Sequence, residues 1–205
     1  MVYKNFLLRC LFSVIILSIY FIISYINFNL VFYLILLIYL IILLEIFLYF
    51  KKYKFIPIIY ISLSLICFFN IDFKELNILD FNLLIIIIIS FDIFSYFFGR
   101  AIGKTKLINI SPKKTIEGLV GGIIASSSFA IIFAYYFEIL INLELFMYIV
   151  LVIFSSLFGD LIESYFKRKN NLKNSSNIIP GHGGVFDRFD SFLFSIIVYS
   201  IFISF

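Results

Sequence analysis

The segment Ser164–Asp190 is a polar stretch in a strongly apolar chain, and its residue types suit phosphate and metal chemistry. Mg²⁺ takes carboxylate ligands together with substrate phosphates, while Arg and Lys side chains bind phosphate oxygens directly. Asp187, Arg188 and Asp190 place both kinds of group within four residues. The segment therefore predicts a site that handles a phosphorylated substrate with the help of a divalent cation.

Residues just before and inside this segment have helical spacing. Asp160, Glu163, Ser164 and Lys167 follow one another at i, i+3, i+4 and i+7, so a helix would present them on one face. We expect this helix to continue an apolar run and to bring the two carboxylates to the membrane boundary. A simple pairing of either carboxylate with Lys167 is an equally good interpretation of these residues alone.

A glycine-rich turn follows, with three of the nine glycines of the chain in Pro180–Gly184. Glycine permits positive φ and close backbone approach, so the N–H groups of Gly181, Gly183 and Gly184 can turn toward an anion. His182 is the single histidine, and we interpret it as a hydrogen-bonding loop residue. No Cys or second His lies near it to complete a zinc site.

A second polar stretch, Gly99–Gly118, follows the apolar run that contains Asp92. We identify Asp92 as the one carboxylate deep within a span, and a carboxylate there is a functional hypothesis, with Arg100 as its expected partner. Ser111 is predicted to cap the next helix, with Pro112 at its first position. An ordinary basic loop explains the lysines but not these features, and contacts with lipid or nucleotide phosphate stay open.

The composition places these stretches in an integral membrane protein. Hydrophobic residues make up 63% of the 205 residues and charged residues 14%, whereas soluble chains are about half apolar and a quarter charged. Cys10 and Cys67 lie in apolar runs without disulfide or metal-ligand spacing. Since the net charge of +4 reports membrane orientation, we expect the lipid bilayer, and no nucleic acid, as a partner.

Crossing the hydrocarbon takes about 20 mostly apolar residues. We expect an all-α polytopic bundle in a single domain, residues 1–205, with generic spans in 1–80 and a catalytic half in 83–205. The first span is interpreted as a membrane helix and not a cleaved signal, because no small-residue cleavage site follows it. About seven spans are predicted: Cys10–Phe28, Leu30–Phe50, Phe55–Phe69, Leu83–Phe98, Leu119–Phe137, Leu145–Phe158 and Phe189–Phe205.

The basic residues agree with that number of spans. With a cytoplasmic N-terminus, fifteen of the sixteen basic residues fall on one side, and Lys74 alone falls on the other. Cytoplasmic loops carry such an excess of Lys and Arg. Both polar stretches are therefore expected at the cytoplasmic face.

Together these residues resemble the signature of the phosphatidate cytidylyltransferase family, the CDP-diacylglycerol synthases. The resemblance covers roughly the C-terminal half of the chain. The features that carry it are Asp92, Tyr96, Gly99-Arg100, Gly103-Lys104, Ser111-Pro112-Lys113-Lys114-Thr115, Glu117-Gly118, Gly159-Asp160, Glu163, Ser164, Lys167-Arg168, Lys173, Ser176, Ile179-Pro180, His182-Gly183-Gly184, Asp187-Arg188 and Asp190.

The resemblance implies transfer of a cytidylyl group from CTP to phosphatidic acid, giving CDP-diacylglycerol and pyrophosphate. It implies a multi-pass enzyme of the bacterial inner (plasma) membrane that uses Mg²⁺, with a monovalent cation such as K⁺ and a homodimer as further options. The implied catalytic residues are Asp160, Lys167, Asp187 and Arg188, and the implied metal ligands are Asp160, Glu163, Asp187 and Asp190. The implied substrate-binding residues are Tyr96, Arg100, Ser111, Lys113, Lys114, Thr115, Ser164, Arg168, Lys173, Gly181, His182, Gly183 and Gly184.

One position departs from the family pattern, because Asn174 follows Lys173 where the family normally has Asp. Asparagine accepts a hydrogen bond but brings no negative charge to a metal. Three alternatives stay open on the sequence. One is a CTP-dependent lipid kinase of the polyprenol or phytol type, and another is a membrane transporter or channel. The third is an inactive relative of the family, for which Asn174 is the main indication.

Overall fold

The computed structural model describes residues 15, 18–73, 76–108, 110–179 and 183–203, with backbone alone at 112 and 113. These residues form an almost entirely helical protein with one two-stranded sheet. The elements in chain order are α1 over residues 18–26, α2 Asn29–Tyr49, α3 Phe55–Phe69, α4 Ile78–Ala101, β1 Lys106–Ile108, β2 Ser111–Thr115, α5 Ile116–Tyr136, α6 Leu143–Lys169 and α7 Phe186–Ile203.

The helical membrane fold that the composition predicts is confirmed. Helices α2, α4, α5 and α6 are each long and apolar enough to cross a bilayer, and α3 is a shorter apolar helix. The predicted span Phe55–Phe69 coincides with α3, and the later predicted spans differ from their helices mainly at the ends. Residues 10–14, 16 and 17 of the predicted first span lie outside the described residues, and α1 covers residues 18–26 of it.

Helix starts follow local capping chemistry, and one of them corrects the sequence prediction. The side chains of Asn77, Thr115 and Asn142 accept hydrogen bonds from the first turns of α4, α5 and α6. Ser111 does not cap α5, because it begins strand β2, which pairs antiparallel with β1. The chain from Ser111 to Thr115 is extended, and the helix starts only where Thr115 accepts from the amide of Gly118, 3.1 Å away.

Helices α4 and α5 pack closely because glycines line their contact. A Cβ at Gly122 would lie 2.8 Å from the Cβ of Ser95 and 3.1 Å from the ring of Phe91. A Cβ at Gly118 would lie 3.0 Å from the Cα of Gly99. Small residues four apart allow membrane helices to approach backbone to backbone. This contact places β1 and β2 beside the ends of α4 and α5.

Buried polar contacts join the N-terminal helices to α7. The hydroxyl groups of Tyr39 on α2 and Ser64 on α3 lie 2.6 Å apart, and Ser64 donates to the carbonyl oxygen of Leu193 at 2.6 Å. At the end of the bundle near the strands, the amide of Lys52 donates to the side chain of Asn170, at the end of α6. The loop after α2 and the end of α6 therefore lie at the same end of the molecule.

Candidate active site

A cavity of about 530 Å³, the first cavity, opens between helices α4, α5, α6 and α7 near the two strands. Its wall combines apolar side chains with acidic and basic ones. It brings together predicted site residues from both polar stretches of the sequence. These residues are Tyr96, Arg100, Ser111, Lys114, Thr115, Asp160, Asp187, Arg188 and Asp190.

Three carboxylates, here called the acid trio, converge beside this cavity. Asp160 and Glu163 belong to α6 and Asp190 to α7, and one oxygen of each lies within 4.8 Å of the others. Gly159 permits this approach of the two helices. A Cβ at Gly159 would lie 3.0 Å from the Cα of Ser191, so a larger residue would force α6 and α7 apart.

The acid trio fits a divalent cation. Glu163 is 1% exposed, and its Oε1 is buried with no hydrogen-bond partner among the described residues. Lys167 pairs with Oε2 alone, and a buried carboxylate oxygen without a partner is costly unless it binds a metal. All three candidate ligands offer oxygen, the ligand atom that Mg²⁺ prefers. The residues present would therefore hold a hard divalent ion through Asp160, Glu163 and Asp190.

Asp187 lies outside the acid trio, and other groups occupy its oxygens. Its Oδ2 accepts from the amides of Ser175 and Gly184, each at 2.9 Å. Its Oδ1 accepts from Nζ of Lys167 at 2.7 Å. The geometry favours an organising role for Asp187, which joins the loop before α7 to the end of α6.

Two lysines connect the acid trio to its surroundings. Lys167 lies between Glu163, at 2.5 Å, and Asp187, at 2.7 Å. Lys114 of strand β2 forms an ion pair with Asp160. The simple pairing with Lys167 that the helical spacing allowed thus applies to Glu163, whereas Asp160 pairs with a lysine from the other polar stretch.

Asp92 does not pair with Arg100, which corrects the expectation from the sequence. Oδ1 of Asp92 accepts hydrogen bonds from the hydroxyls of Ser156 and Ser191, each at 3.4 Å. Arg100 instead donates to the hydroxyl of Tyr96 at 3.3 Å. The reason is geometric, since Asp92 faces α6 and α7 whereas Arg100 lies two turns further along α4.

Glu45 is a second carboxylate within a predicted span, and it was not among the residues predicted from the sequence. It is fully buried in α2, and its Oε2 accepts from the amides of Val185, at 2.8 Å, and Phe186, at 3.2 Å. Asp92 is therefore not the one carboxylate within a predicted span, and the N-terminal half contributes a buried carboxylate that contacts the start of α7. The signal was available, because Glu45 is the lone charged residue in the apolar run Leu30–Phe50.

A second cavity of about 600 Å³ lies beside the first, and Ser111 lines both. Its described lining carries three cations and no carboxylate. Asn174, which replaces the family's usual Asp, belongs to this wall. The other residues that line it are Ser164, Lys167, Arg168, Asn171, Leu172 and Lys173.

The glycine turn is described from Gly183 onward, so Gly181 and His182 lie outside the described residues, as does the side chain of Lys113. Gly183 has a φ of 91°, and its carbonyl accepts from the amide of Ile179. The amide of Gly184 donates to Asp187. The N–H group of Gly184, which was expected to face a substrate anion, thus binds a carboxylate of the protein itself.

Comparison with known proteins finds relatives that share one name. The chain is similar to curated phosphatidate cytidylyltransferases of Staphylococcus haemolyticus, with 50% identity over 103 residues, and Bacillus subtilis, with 46% over 115 residues. A third relative of that name, from Staphylococcus epidermidis, is 40% identical over 139 residues. The matches cover 49%, 53% and 66% of this chain, and 39%, 41% and 52% of the respective relatives. The chain thus spans about half, or less, of the length of the curated relatives it matches.

A family model covers almost the whole chain, whereas each of these relatives matches only part of it. The model of the cytidylyltransferase family matches residues 4–205, which include both polar stretches, the acid trio and Glu45. The chain belongs to the cytidylyltransferase family.

Proposed function

We propose that this protein transfers the cytidylyl group of CTP to phosphatidic acid, yielding CDP-diacylglycerol and pyrophosphate. The observation that carries the proposal is the position of the acid trio, which borders the first cavity through Asp160 and Asp190 and contacts, through Glu163, the Lys167 that lines the second. One of these cavities combines acidic, basic and apolar walls, and the described wall of the other is cationic. Joining two phosphorylated substrates needs such an arrangement, because both carry negative charge and must approach each other closely.

The triphosphate of CTP is assigned to the second cavity. Arg168 and Lys173 offer charged donors to phosphate oxygens, and the described wall contains no carboxylate to repel them. Lys167 lines the same cavity but is held by its ion pairs with Glu163 and Asp187. Asn174 supports this assignment, since an amide at that position adds donors without adding negative charge. Ser111, in the wall of both cavities, lies where the α-phosphate would meet the lipid phosphate.

Phosphatidic acid is assigned to the first cavity. Phe91, Leu119 and Leu157 give this cavity apolar walls between membrane helices, suited to the glycerol end of a lipid. Arg100 and Arg188 line the same cavity and would neutralise its phosphate. Thr115 and Tyr96 are assigned to the head group for the same reason.

In the proposed reaction a phosphate oxygen of the lipid attacks the α-phosphorus of CTP. The bond from that phosphorus to the oxygen bridging to the β-phosphate breaks, and pyrophosphate leaves with the electron pair. The lipid phosphate is already ionised, so no general base is needed. A divalent ion held by Asp160, Glu163 and Asp190 would supply positive charge to the phosphates as charge develops. Lys114 and Lys167 hold these carboxylates in place.

The protein is a multi-pass membrane protein, and we propose that its site lies on the cytoplasmic side of a bacterial inner membrane. The basic residues near the ends of α2, α4 and α6 support this orientation. Mg²⁺ is the proposed divalent ion, with K⁺ as an optional second ion. A homodimer remains a prediction that the mass of the detergent-solubilised protein would test.

The decisive experiment uses CTP labelled at two positions. Purified protein with phosphatidic acid and Mg²⁺ is expected to move label from the α-phosphate into lipid and to release label from the γ-phosphate as pyrophosphate. Label from the γ-phosphate in lipid would instead identify a lipid kinase. If neither position labels the lipid, both enzymatic functions are contradicted, and a transporter or an inactive relative is left. The family match favours the cytidylyl transfer.

A further inference from the structure

Glu45 is a fully buried carboxylate on a membrane helix, and the proposed reaction leaves it without a role. It lies near the end of the apolar helix α2, four residues before Tyr49, and far along the chain from either polar stretch. Burial of an uncompensated charge is costly, so a residue of this kind is retained where it meets strong donors. In this structure the donors are backbone amides at the start of α7.

The first amides of a helix have no partner within that helix and need an external acceptor. Oε2 of Glu45 accepts from Val185 at 2.8 Å and from Phe186 at 3.2 Å, so a carboxylate from α2 fills the capping position of α7. The positive end of the helix dipole favours a negative charge there. The contact joins residues about 140 positions apart in the chain.

The same turn also carries Asp187. The amide of Gly184, directly before Val185, donates to Asp187 at 2.9 Å. Three consecutive amides are thus divided between two carboxylates: one goes to Asp187 and two go to Glu45. Because Asp187 also holds Lys167 at 2.7 Å, the conformation of this turn determines where Lys167 lies relative to the acid trio.

Close packing on the other side of the turn reinforces the constraint. A Cβ on Gly184 would collide with Oε1 of Glu45 and with the hydroxyl of Ser175. Both of these oxygen atoms are buried and lack a hydrogen-bond partner among the described residues. Gly184 is therefore packed between Glu45 and Ser175, while the next two amides, of Val185 and Phe186, donate to Glu45.

We propose that Glu45 is a positioning residue that caps α7 from α2 and thereby fixes the turn through which Asp187 orients Lys167. The expected effect on turnover rests on the proposed function, whereas the effect on the turn does not. Glu45 acts through Asp187 and Lys167 and touches neither substrate.

The test compares Glu45→Ala, Glu45→Asp and Glu45→Gln in the full-length protein in detergent. Alanine removes the acceptor and aspartate shortens it by one methylene, so both should speed hydrogen exchange in a peptide covering residues 183–190. Both should also lower kcat on the order of 10²-fold, the effect of a misplaced catalytic group, with KM for CTP changed far less. Glutamine keeps an acceptor oxygen, so the kcat of Glu45→Gln should stay within about fivefold of the wild-type value.

Ile42→Ala is the matched control, because Ile42 is fully buried one turn earlier on α2 and carries no polar group. It should lower thermal stability without selectively speeding exchange over residues 183–190. If Glu45→Ala does not fold, Glu45→Asp decides the question. Unchanged exchange in that peptide, or unchanged kcat despite faster exchange, would overturn the proposal. If wild-type protein transfers no label from CTP, the proposed function fails, while the exchange measurement still decides whether Glu45 holds the turn.

Discussion

The ammonium group of Lys167 lies 2.7 Å from Oδ1 of Asp187, and this ion pair joins the end of α6 to the first turn of α7. The two side chains are 15% and 8% exposed, so water screens the pair only weakly. The same ammonium group lies 2.5 Å from Glu163 of the acid trio. Lys167 therefore contacts both a candidate metal ligand, Glu163, and the residue that organises the loop before α7, Asp187. Substitution of Asp190 tests metal binding, and substitution of Asp187 tests the loop.

Asp190→Asn should raise the Mg²⁺ concentration needed for half-maximal activity. The variant keeps the shape of the side chain but removes one charge of the acid trio. Loss of a residue that only supports a metal ligand lowers metal affinity roughly 10- to 100-fold. Loss of a ligand charge should therefore raise the required Mg²⁺ concentration at least about 10-fold. Titration of lipid labelling with Mg²⁺ measures it. Asp80→Asn is the control, because Asp80 lies in the first turn of α4, at the end of that helix away from the first cavity. An unchanged Mg²⁺ requirement in Asp190→Asn would contradict the metal assignment.

Asp187→Asn should lower kcat without moving the Mg²⁺ requirement. The amide can still accept from Ser175 and Gly184, but it offers no charge to Lys167. A displaced Lys167 would cost on the order of 10²-fold in rate. The same Mg²⁺ titration checks this, together with a melting curve to exclude unfolding. A shift in Mg²⁺ requirement as large as that of Asp190→Asn would return Asp187 to the metal ligands.

Lys173→Ala should weaken the binding of CTP, seen as a higher KM for CTP, and leave the KM for phosphatidic acid unchanged. Lys173 lines the second cavity, and a hydrogen bond to a charged group contributes about 1.5–3 kcal/mol, which corresponds to roughly 10- to 100-fold in KM. Lys169→Ala is the matched control, because Lys169 stacks on Tyr165 and does not line that cavity. An increase in KM for phosphatidic acid instead of CTP would reverse the assignment of the two cavities.

Gly122→Ala should destabilise the protein, although alanine is normally the better helix former by about 1 kcal/mol. The added methyl group would lie 2.8 Å from the Cβ of Ser95, and overpacking of this kind costs about 1–3 kcal/mol. A thermal melt in detergent measures the loss. Ile124→Ala, at a well-exposed position on the same helix, is the control. A higher melting temperature for Gly122→Ala would show that α4 and α5 separate freely.

Much of the fold and part of the site could be predicted because they depend on local properties of the chain. Apolar runs set the helices, and the predicted span Phe55–Phe69 coincides with α3. The i, i+3 spacing of Asp160 and Glu163 places them on one face of α6 whatever surrounds it. Asp190 was predicted as their companion by its place in the family signature, and the structure brings its carboxylate within 4.8 Å.

The failures concern partners that are distant in the chain. Ser111 has the residue type of a helix cap, but pairing with β1 makes it part of a strand. Asp92 was expected to meet Arg100, two helical turns away, and meets Ser156 and Ser191 instead. In each case tertiary packing offered a contact that local spacing does not encode.

The sequence by itself therefore determined that this protein is a helical membrane protein of the cytidylyltransferase family, with its polar residues in two stretches. Only the tertiary structure decided that Glu45 caps α7 and that Asp187 lies outside the acid trio. The physical reason is that hydropathy and helical period are properties of neighbouring residues. The helix faces that pack together and those that meet lipid are built from the same Ile, Leu and Phe. Which helices pack against each other therefore cannot be derived from their composition.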